Sequence, residues 1–347
     1  MAIQAYQARL CWLLGSLAVW AIGVVTLPLP LCGAEWHRLA KSEVHMGVEF
    51  EVVLFTPDEA AGKAAIEAAM SRIAELETRL SDYDLDSELS RLSAQAPTAS
   101  PVSLSDDLFA VLQASQTLSA ETGGAFDVTV GPLTKLWRRA RRQKEVPPAE
   151  MLRTARQAVG YRHLVIRDNK TAELTTKNMR LDLGGIAKGY AVDEALRVIT
   201  ARGIRCALVR ASGDIAAADP PPGEAGWKVG LAPLNPHDEP LVFVSLKNQA
   251  ISTSGESRQH LVIDGRRYSH LLDPRSGQPL PGRMSVTVIA PRSIDADSWA
   301  STVAVLGPTE GLRFLSQKNS THAYMITADN DGRNEQTHVS PGFPVLK

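Results

Sequence analysis

Aromatic residues make up only 5% of the 347-residue chain, cysteine occurs three times, and neither sign of charge is in excess. Lys plus Arg number 37 against 38 Asp plus Glu, a net charge of −1. That balance lacks the basic surplus of a phosphate-backbone binder, so no nucleic-acid partner is expected. The cysteines are Cys11, Cys32 and Cys206. Once an N-terminal segment is removed, Cys206 stands alone and no internal disulfide can form. Its apolar run Cys206-Ala-Leu-Val209 reads as a buried structural thiol. Walker A, G-x-G-x-x-G, HExxH, C-x-x-C and G-x-S-x-G signatures are all missing, which removes the common hydrolase and dinucleotide-fold readings. There is no fixed-period repeat and no low-complexity tract. What remains, 44% apolar and 22% charged residues, is ordinary globular composition and excludes global disorder or coiled coil.

The chain carries no charge from Leu10 to Cys32, and Arg9 precedes that stretch. Cys11–Leu27 is apolar enough for a membrane anchor or the core of a secretory signal. Pro28 and Pro30 interrupt it, and Cys32 and Ala34 place small residues before Glu35, which favours a cleaved signal over a retained anchor. Residues 1–34 are therefore expected to export the chain to the periplasm, cleaved or held at the inner membrane, where this segment can touch the bilayer. Residues 35–347 form the working domain.

Val48, Phe50, Val52 and Leu54 alternate with polar residues and predict a half-buried strand. Thr56-Pro57-Asp58-Glu59 has a capping-box spacing with proline at the first helical position, ahead of Ile66, Met70, Ile73, Leu76 and Leu80 at helical intervals. Ser105 to Thr122, closed by Gly123-Gly124, predicts a second amphipathic helix. Strands follow near His163–Ile166 and Ala207–Val209, a helix from about Ala187 to Arg202 ended by Gly203, and further strands through Val288. Asp264-Gly265 between Leu261–Ile263 and Arg267-Tyr268 signals a hairpin that delivers His270 near its end. Pro220–Gly223 and Pro233–Pro240 read as surface loops. The class is mixed α+β.

Six segments carry candidate chemistry. Leu181-Asp-Leu-Gly-Gly-Ile-Ala-Lys-Gly-Tyr190 runs from a strand end through Gly184-Gly185 into a helix, whose free N–H groups suit a phosphate or carbonyl. It also fits a plain connection with Asp182 as cap and Lys188 on a solvated face. Asp295-Ala-Asp297-Ser-Trp-Ala-Ser301 opens an apolar helix running to Gly307. Asp297 and Ser301 share one face and could bind a hard cation together, or the acids simply answer the helix dipole. His270, beside the Asp273-Pro274 turn, is the first choice for a general base, with a turn-stabilising role as the alternative. Gly123–Pro132 joins a helix end to a short strand, and Ser81–Ser87 is an acidic turn in which Tyr83 could stack on a planar ring; both also read as turns or caps. Arg138, Arg139, Arg141, Arg142 and Lys144 form a solvated helix face or a contact for a phosphate or an acidic partner.

In this order these segments resemble the ApbE family of flavin transferases. The matching stretches are Met46-Gly47, Ser81–Ser93, Gly123–Pro132, Leu181–Tyr190, Ala211–Asp214, Ile251–Gly255, Ser269–Pro279, Asp297–Gly307 and a Ser340–Phe343 tail, spanning roughly Val44 to Phe343. The resemblance implies an α+β, T-fold-like core of mixed sheets and helices with a smaller lobe, FAD lying between them with Mg2+. It implies transfer of FMN from FAD to a threonine or serine hydroxyl of an acceptor flavoprotein subunit of an exported redox complex, releasing AMP. Met46, Tyr83, Ala125, Phe126, Asp127, Asp182, Lys188 and Leu272 then fall on flavin-nucleotide positions. Asp297, Ser301 and the Gly185 carbonyl fall on metal positions, and His270 on the base. Ser301 stands where threonine is common, with Thr302 beside it, so either hydroxyl fits the ligand position. Arg210–Asp214 replaces an Asn/Gly-rich segment, and Glu256–Gln259 lacks an aromatic residue often found there.

Those residue types suit an attack by an alcohol on the FMN phosphorus while charge builds on AMP. Mg2+ keeps few protein ligands and binds mainly through phosphate and water. A base near the hydroxyl is worth about 10²–10⁴-fold. A similar site would serve an FAD pyrophosphatase giving FMN and AMP, and a periplasmic FAD-binding protein without chemistry would keep the pocket alone.

Overall fold

The computed structural model describes residues 35–235, 237–255, 260–263 and 266–346. The expected export signal or anchor, the 256–259 loop and the Asp264-Gly265 turn lie outside them. Among the described residues no helix is long and apolar enough to cross a membrane.

In chain order the elements are β1 (His37–His45), β2 (Val48–Thr56), α1 (Glu59–Leu80), α2 (Glu88–Ala94), β3 (Val102–Ser103), α3 (Asp106–Glu121), α4 (Gly131–Gln143) and α5 (Ala149–Arg156). Next come β4 (Leu164–Arg167), β5 (Thr171–Leu174), α6 (Ala187–Thr200), β6 (Cys206–Ala211), β7 (Asp214–Ala217), β8 (Trp227–Gly230) and β9 (Phe243–Leu246). The rest are β10 (Gln249–Gly255), β11 (His260–Ile263), β12 (Arg266–Ser269), β13 (Leu272–Asp273), β14 (Gln278–Pro279), β15 (Arg283–Ala290), α7 (Ser293–Leu315), β16 (His322–Ala328) and β17 (Gln336–Val339).

An antiparallel eight-stranded sheet, ordered β1-β2-β6-β7-β10-β15-β16-β17, organises the fold. Strand alternation divides its side chains between two faces. Phe50, Val52 and Leu54 of β2, with Val209 of β6, enter one core with Ile66, Met70 and Ile73 of α1 and Ala191 and Ala195 of α6. Val286 and Val288 of β15 continue that face onto Val303 and Ala304 of α7. Leu208, Ala217, Ile251 and Ile289 point the other way, onto Val244 and Leu246 of the two-stranded β8–β9 ribbon. A small three-stranded sheet, β3-β5-β4, stands apart from the large one.

The α+β class and the main elements follow the sequence pattern, with local differences. The first helix starts two residues late: Asp58 is the N-cap and accepts from the Ala61 N–H at 2.9 Å, while Thr56 stays in β2. An Asp side chain aimed at the first turn satisfies it directly, so Pro57 is left before the cap rather than inside the helix. β1 escaped the pattern because it is a sheet edge with Arg38, Ala40, Ser42 and Val44 all exposed. Gly123–Pro132 ends in turns and one isolated Val130–Arg180 bridge, not a strand. The helix expected to stop at Gly307 breaks there, at φ +76°, and Pro308 restarts it at once through Leu315. Cys206 is half-exposed on the ribbon side of β6 rather than buried; desolvation, with Asp219 nearby, still pushes its thiol up.

Candidate active site

A cavity of about 1100 Å³ opens where the ends of α1, α4, α6 and α7 meet the sheet. All twelve residues singled out from sequence line it: Met46, Tyr83, Ala125, Phe126, Asp127, Asp182, Gly185, Lys188, His270, Leu272, Asp297 and Ser301.

Its charged centre is built by a close approach of two helices. An ideal Cβ on Gly189 of α6 would lie 2.8 Å from the Cβ of Asp297 and 2.7 Å from the Ser293 carbonyl carbon. Only glycine lets the first turns of α6 and α7 touch there. Asp193, one turn further along α6, accepts from the Ser293 and Ile294 N–H groups at 2.8 and 2.9 Å, capping α7 from a neighbouring helix. The Asp297 Oδ2 accordingly accepts the Gly189 N–H at 3.0 Å and faces Lys188 Nζ at 3.4 Å. Lys188 Nζ also donates to Asp214 Oδ2 at 2.7 Å, and Asp214 Oδ1 accepts from the Ser252 hydroxyl at 2.5 Å.

Two buried carboxylates thus share one ammonium. Burial, then the Asp214 charge, pushes the Asp297 carboxyl up to about 7, while Lys188 and the Gly189 N–H pull against them. Burial alone would lower the Lys188 pKa, but Asp214 and Asp297 outweigh it and raise it, so this lysine stays charged. The solvated-face alternative for Lys188 therefore fails.

Ser301 lies one helical turn beyond Asp297, its Oγ 3.1 Å from the Ser254 hydroxyl. A Cβ on Gly185 would stand 3.1 Å from that same Oγ, which places the Gly184-Gly185 turn directly against Ser301. Thr302 spends its hydroxyl on the Ser298 carbonyl at 2.7 Å, fully buried, and does not line the cavity. Of the two hydroxyls left open by the sequence, the structure brings Ser301 to the site.

Asp297, Ser301 and the Gly185 backbone suit a hard oxygen-seeking cation. Every hydrogen bond to Asp297 among the described residues falls on Oδ2, leaving Oδ1 for such an ion. With both carboxylates ionised against one ammonium, the local sum is negative, which a bound cation would offset. No group of three or more His, Cys, Asp or Glu gathers among the described residues.

The other end of the cavity is held by Arg138. Its guanidinium bonds Asp82, donates to Asp182 Oδ2 at 2.8 Å and lies 4.3 Å from the Tyr83 ring centroid. Asp182 also accepts from Thr134 Oγ1 at 2.7 Å and, through Oδ1, from the Gly184 N–H at 2.9 Å. Asp182 therefore shapes the glycine turn and is not the cap of α6, whose N-cap is Ile186 with no side-chain bond. The start of α6 is largely spent: the Ala187 N–H donates to the Leu183 carbonyl at 2.9 Å and the Gly189 N–H to Asp297. Tyr83, 74% exposed, keeps one ring face for a planar group. Asp127 spends its carboxylate on the Thr129 N–H and hydroxyl and on the Tyr161 N–H; burial pushes it up against these bonds, so it fixes the Ala125-Phe126 loop. Met46 sits at φ +49°, its N–H donating to Glu77 Oε1 at 2.7 Å. Leu272 packs with Leu133 and Trp137, and His270 follows β12 on the cavity wall.

Sequence reasoning gave no individual role to Asp214, Gly189 and Ser254, which lie in the matching stretches, or to Asp193, and it left Arg138 between a solvated face and a contact for a phosphate or an acidic partner. Thr134 and Arg138, four apart on α4, are the signal available for the last.

Comparison with known proteins gives a consistent set of likenesses. The model of the ApbE family matches residues 46–326. FAD:protein FMN transferase of Klebsiella pneumoniae is 30% identical over 305 residues, covering 86% of each chain. The protein of the same name from Escherichia coli K12 is 31% identical over 271 residues, 76% of each. Among solved structures, flavin transferase ApbE from Vibrio cholerae superposes with a TM-score of 0.79 at 29% identity, covering 89% of this chain and 99% of that one. The apo flavinyl transferase ApbE of Pseudomonas stutzeri gives 0.76 at 31%, covering 88% and 95%.

Proposed function

We propose, from the premise that this chain belongs to the ApbE family, that it moves FMN from FAD to a serine or threonine hydroxyl of an acceptor protein, with Mg2+ bound and AMP released. In that reaction the acceptor oxygen bonds to the FMN phosphorus, the phosphorus–oxygen bond to the AMP phosphate breaks, and the hydroxyl proton passes to a base. Flavin transfer is the activity by which its relatives are named. The residue roles are those the family resemblance implies, and the geometry of this chain supports them. The observation that carries them is the meeting of Asp297 and Ser301, on one helix, with the Gly184-Gly185 turn, in the cavity that also holds the Tyr83–Arg138–Asp182 cluster.

Asp297, Ser301 and the Gly185 carbonyl would hold the cation, which when bound neutralises charge building on the diphosphate. Lys188 keeps Asp214 and Asp297 in place and adds positive charge beside them. The Gly184-Gly185 turn ahead of α6 borders the phosphates. Tyr83 stacks on a planar ring of FAD, with Arg138 behind it and Asp182 fixing both Arg138 and the glycine turn. His270 accepts the hydroxyl proton. The uncharged run Leu10–Cys32 supports an exported location, with a subunit of an exported redox complex as acceptor.

Incubation with FAD, Mg2+ and an acceptor protein should leave yellow fluorescence on the denatured acceptor and one FMN ester by mass. Asp297→Ala should abolish transfer and weaken FAD retention, whereas His270→Ala should keep FAD and slow transfer by about 10²–10⁴-fold. Equal loss of FAD binding in both variants refutes the division of roles, and FMN and AMP appearing with no labelled protein refutes transfer.

A further inference from the structure

The cavity continues beyond the twelve residues above. It bends round the β6–β7 turn at Ser212-Gly213 onto the opposite face of the large sheet, where Leu208, Arg210, Ile215 and Thr253 line it. Facing them is β8, whose consecutive residues Lys228, Val229 and Gly230 all line the same space. A strand that presents one face lines a cavity with alternate residues; three in a row mean that it presents its edge. None of the twelve site residues lies in this second arm.

The hydrogen-bond alternation shows which backbone groups that edge offers. Leu231 N–H donates to the Val242 carbonyl, which makes their pair a bonded one, and antiparallel alternation then makes Val229–Val244 and Trp227–Leu246 bonded pairs. Lys228 and Gly230 fall between them, so their N–H and C=O groups point away from β9. The other side of the ribbon obeys the same phase: the Phe243 carbonyl, opposite Gly230, turns outward to the Leu346 N–H at 2.7 Å. Among the described residues β8 pairs with β9 alone.

We infer that this second arm binds the acceptor protein, as an extended segment that adds a strand to the free edge of β8 and carries its hydroxyl round the Ser212-Gly213 turn to the metal end of the cavity. This rests on the transfer reading above and adds to it the place and manner of acceptor binding. An edge with unpaired N–H and C=O groups recognises an extended backbone whatever its side chains, and the floor supplies an apolar seat at the part-exposed Ile215, beside the buried Leu208. Arg210 is already paired with Glu51 at 2.9 Å, so the arm imposes no strong sign of charge and selects for conformation. Two substrates that must meet at one phosphorus enter from the two faces of the sheet, the flavin nucleotide from the helix side and the polypeptide from the ribbon side.

The probe is a recombinant acceptor domain that the Vibrio cholerae flavin transferase modifies in a parallel reaction. Lys228→Pro removes an outward N–H without touching the β9 ladder, since proline is tolerated at an edge position. The KM for the acceptor should rise on the order of fivefold, the effect of one lost backbone hydrogen bond. FAD affinity should hold, and Lys228→Ala, which keeps the backbone N–H, should raise that KM less than Lys228→Pro does. Ile215→Trp, which fills the arm from its floor, should raise the same KM by at least about tenfold. In hydrogen exchange, the FAD-loaded chain should gain protection at the Lys228 and Gly230 amides when the domain is added. Unchanged acceptor KM in both Lys228→Pro and Ile215→Trp, with FAD bound normally, overturns the inference and leaves the transfer reading standing. If the unaltered chain splits FAD yet never labels the domain, the transfer reading itself falls and takes this one with it.

Discussion

Replacing Gly189 by alanine tests whether the metal end of the cavity depends on two helices touching at one point. The new methyl carbon would lie 2.8 Å from the Asp297 Cβ and 2.7 Å from the Ser293 carbonyl carbon, with the Ser293 oxygen closer still. Carbon atoms rest about 3.5–4.0 Å apart, so α6 and α7 must separate by roughly 1 Å. Overpacking of this kind costs about 1–3 kcal/mol, of which alanine's better helix propensity returns about 1 kcal/mol. The net loss, about 0–2 kcal/mol, is small for a chain of this size and corresponds to a fall in Tm of at most about 8 °C. The effect on the reaction should be far larger. Asp297 sits at the contact itself, bonded to the Gly189 N–H at 3.0 Å, and a displacement of about 1 Å in a reacting constellation is worth about 10²-fold in rate. The assay is fluorescent labelling of an acceptor protein at saturating FAD over a Mg2+ titration, beside a melting curve. A folded Gly189→Ala protein should need more Mg2+ for half-maximal rate and should transfer about a hundredfold more slowly at saturation. A folded variant with unchanged Mg2+ dependence and a rate within about threefold refutes the claim that this contact positions Asp297.

Two further perturbations address the supports around the site. Burial pushes the Asp193 carboxyl up to about 6 in spite of the Ser293 and Ile294 N–H groups that favour its charge. An acid whose pKa is higher folded than unfolded, about 3.9, binds more protons in the folded chain, so its contribution is complete below pH 4 and is lost as pH rises through 6. Urea midpoints should therefore fall across that window, and Asp193→Asn should remove that part of the slope; an identical slope in the variant refutes the assignment. Arg138→Ala leaves Asp82 and Asp182 without their guanidinium and Tyr83 without its backing ring contact. FAD affinity, read by quenching of flavin fluorescence, should fall on the order of tenfold to a hundredfold while transfer at saturating FAD is largely kept; a proportional loss of kcat instead would place Arg138 at the reacting phosphorus.

The contrast between what the chain announces in one dimension and what it hides follows from how each feature arises. β2, α3 and α6 are legible because an apolar face repeats at a single period, with the Ser105 cap opening α3 and Gly203, two residues past the Ala201 C-cap, closing the turn after α6. The site segments are legible for a different reason: Gly184-Gly185, Asp297 and His270 are polar or flexible residues where a core explanation is lacking. Asp214 and Gly189 give no such sign. Asp214 matters because β7 brings it within 2.7 Å of Lys188, 26 residues away, and Gly189 because of a helix that begins more than a hundred residues later. The same limit applies to the two faces of the sheet. Lys228, Val229 and Gly230 are an unremarkable run until the phase of the β8–β9 ladder decides which of their backbone groups are spent and which remain. Pairing phase depends on two strands at once, so the arm that reaches round the Ser212-Gly213 turn can be read only after folding has chosen the register.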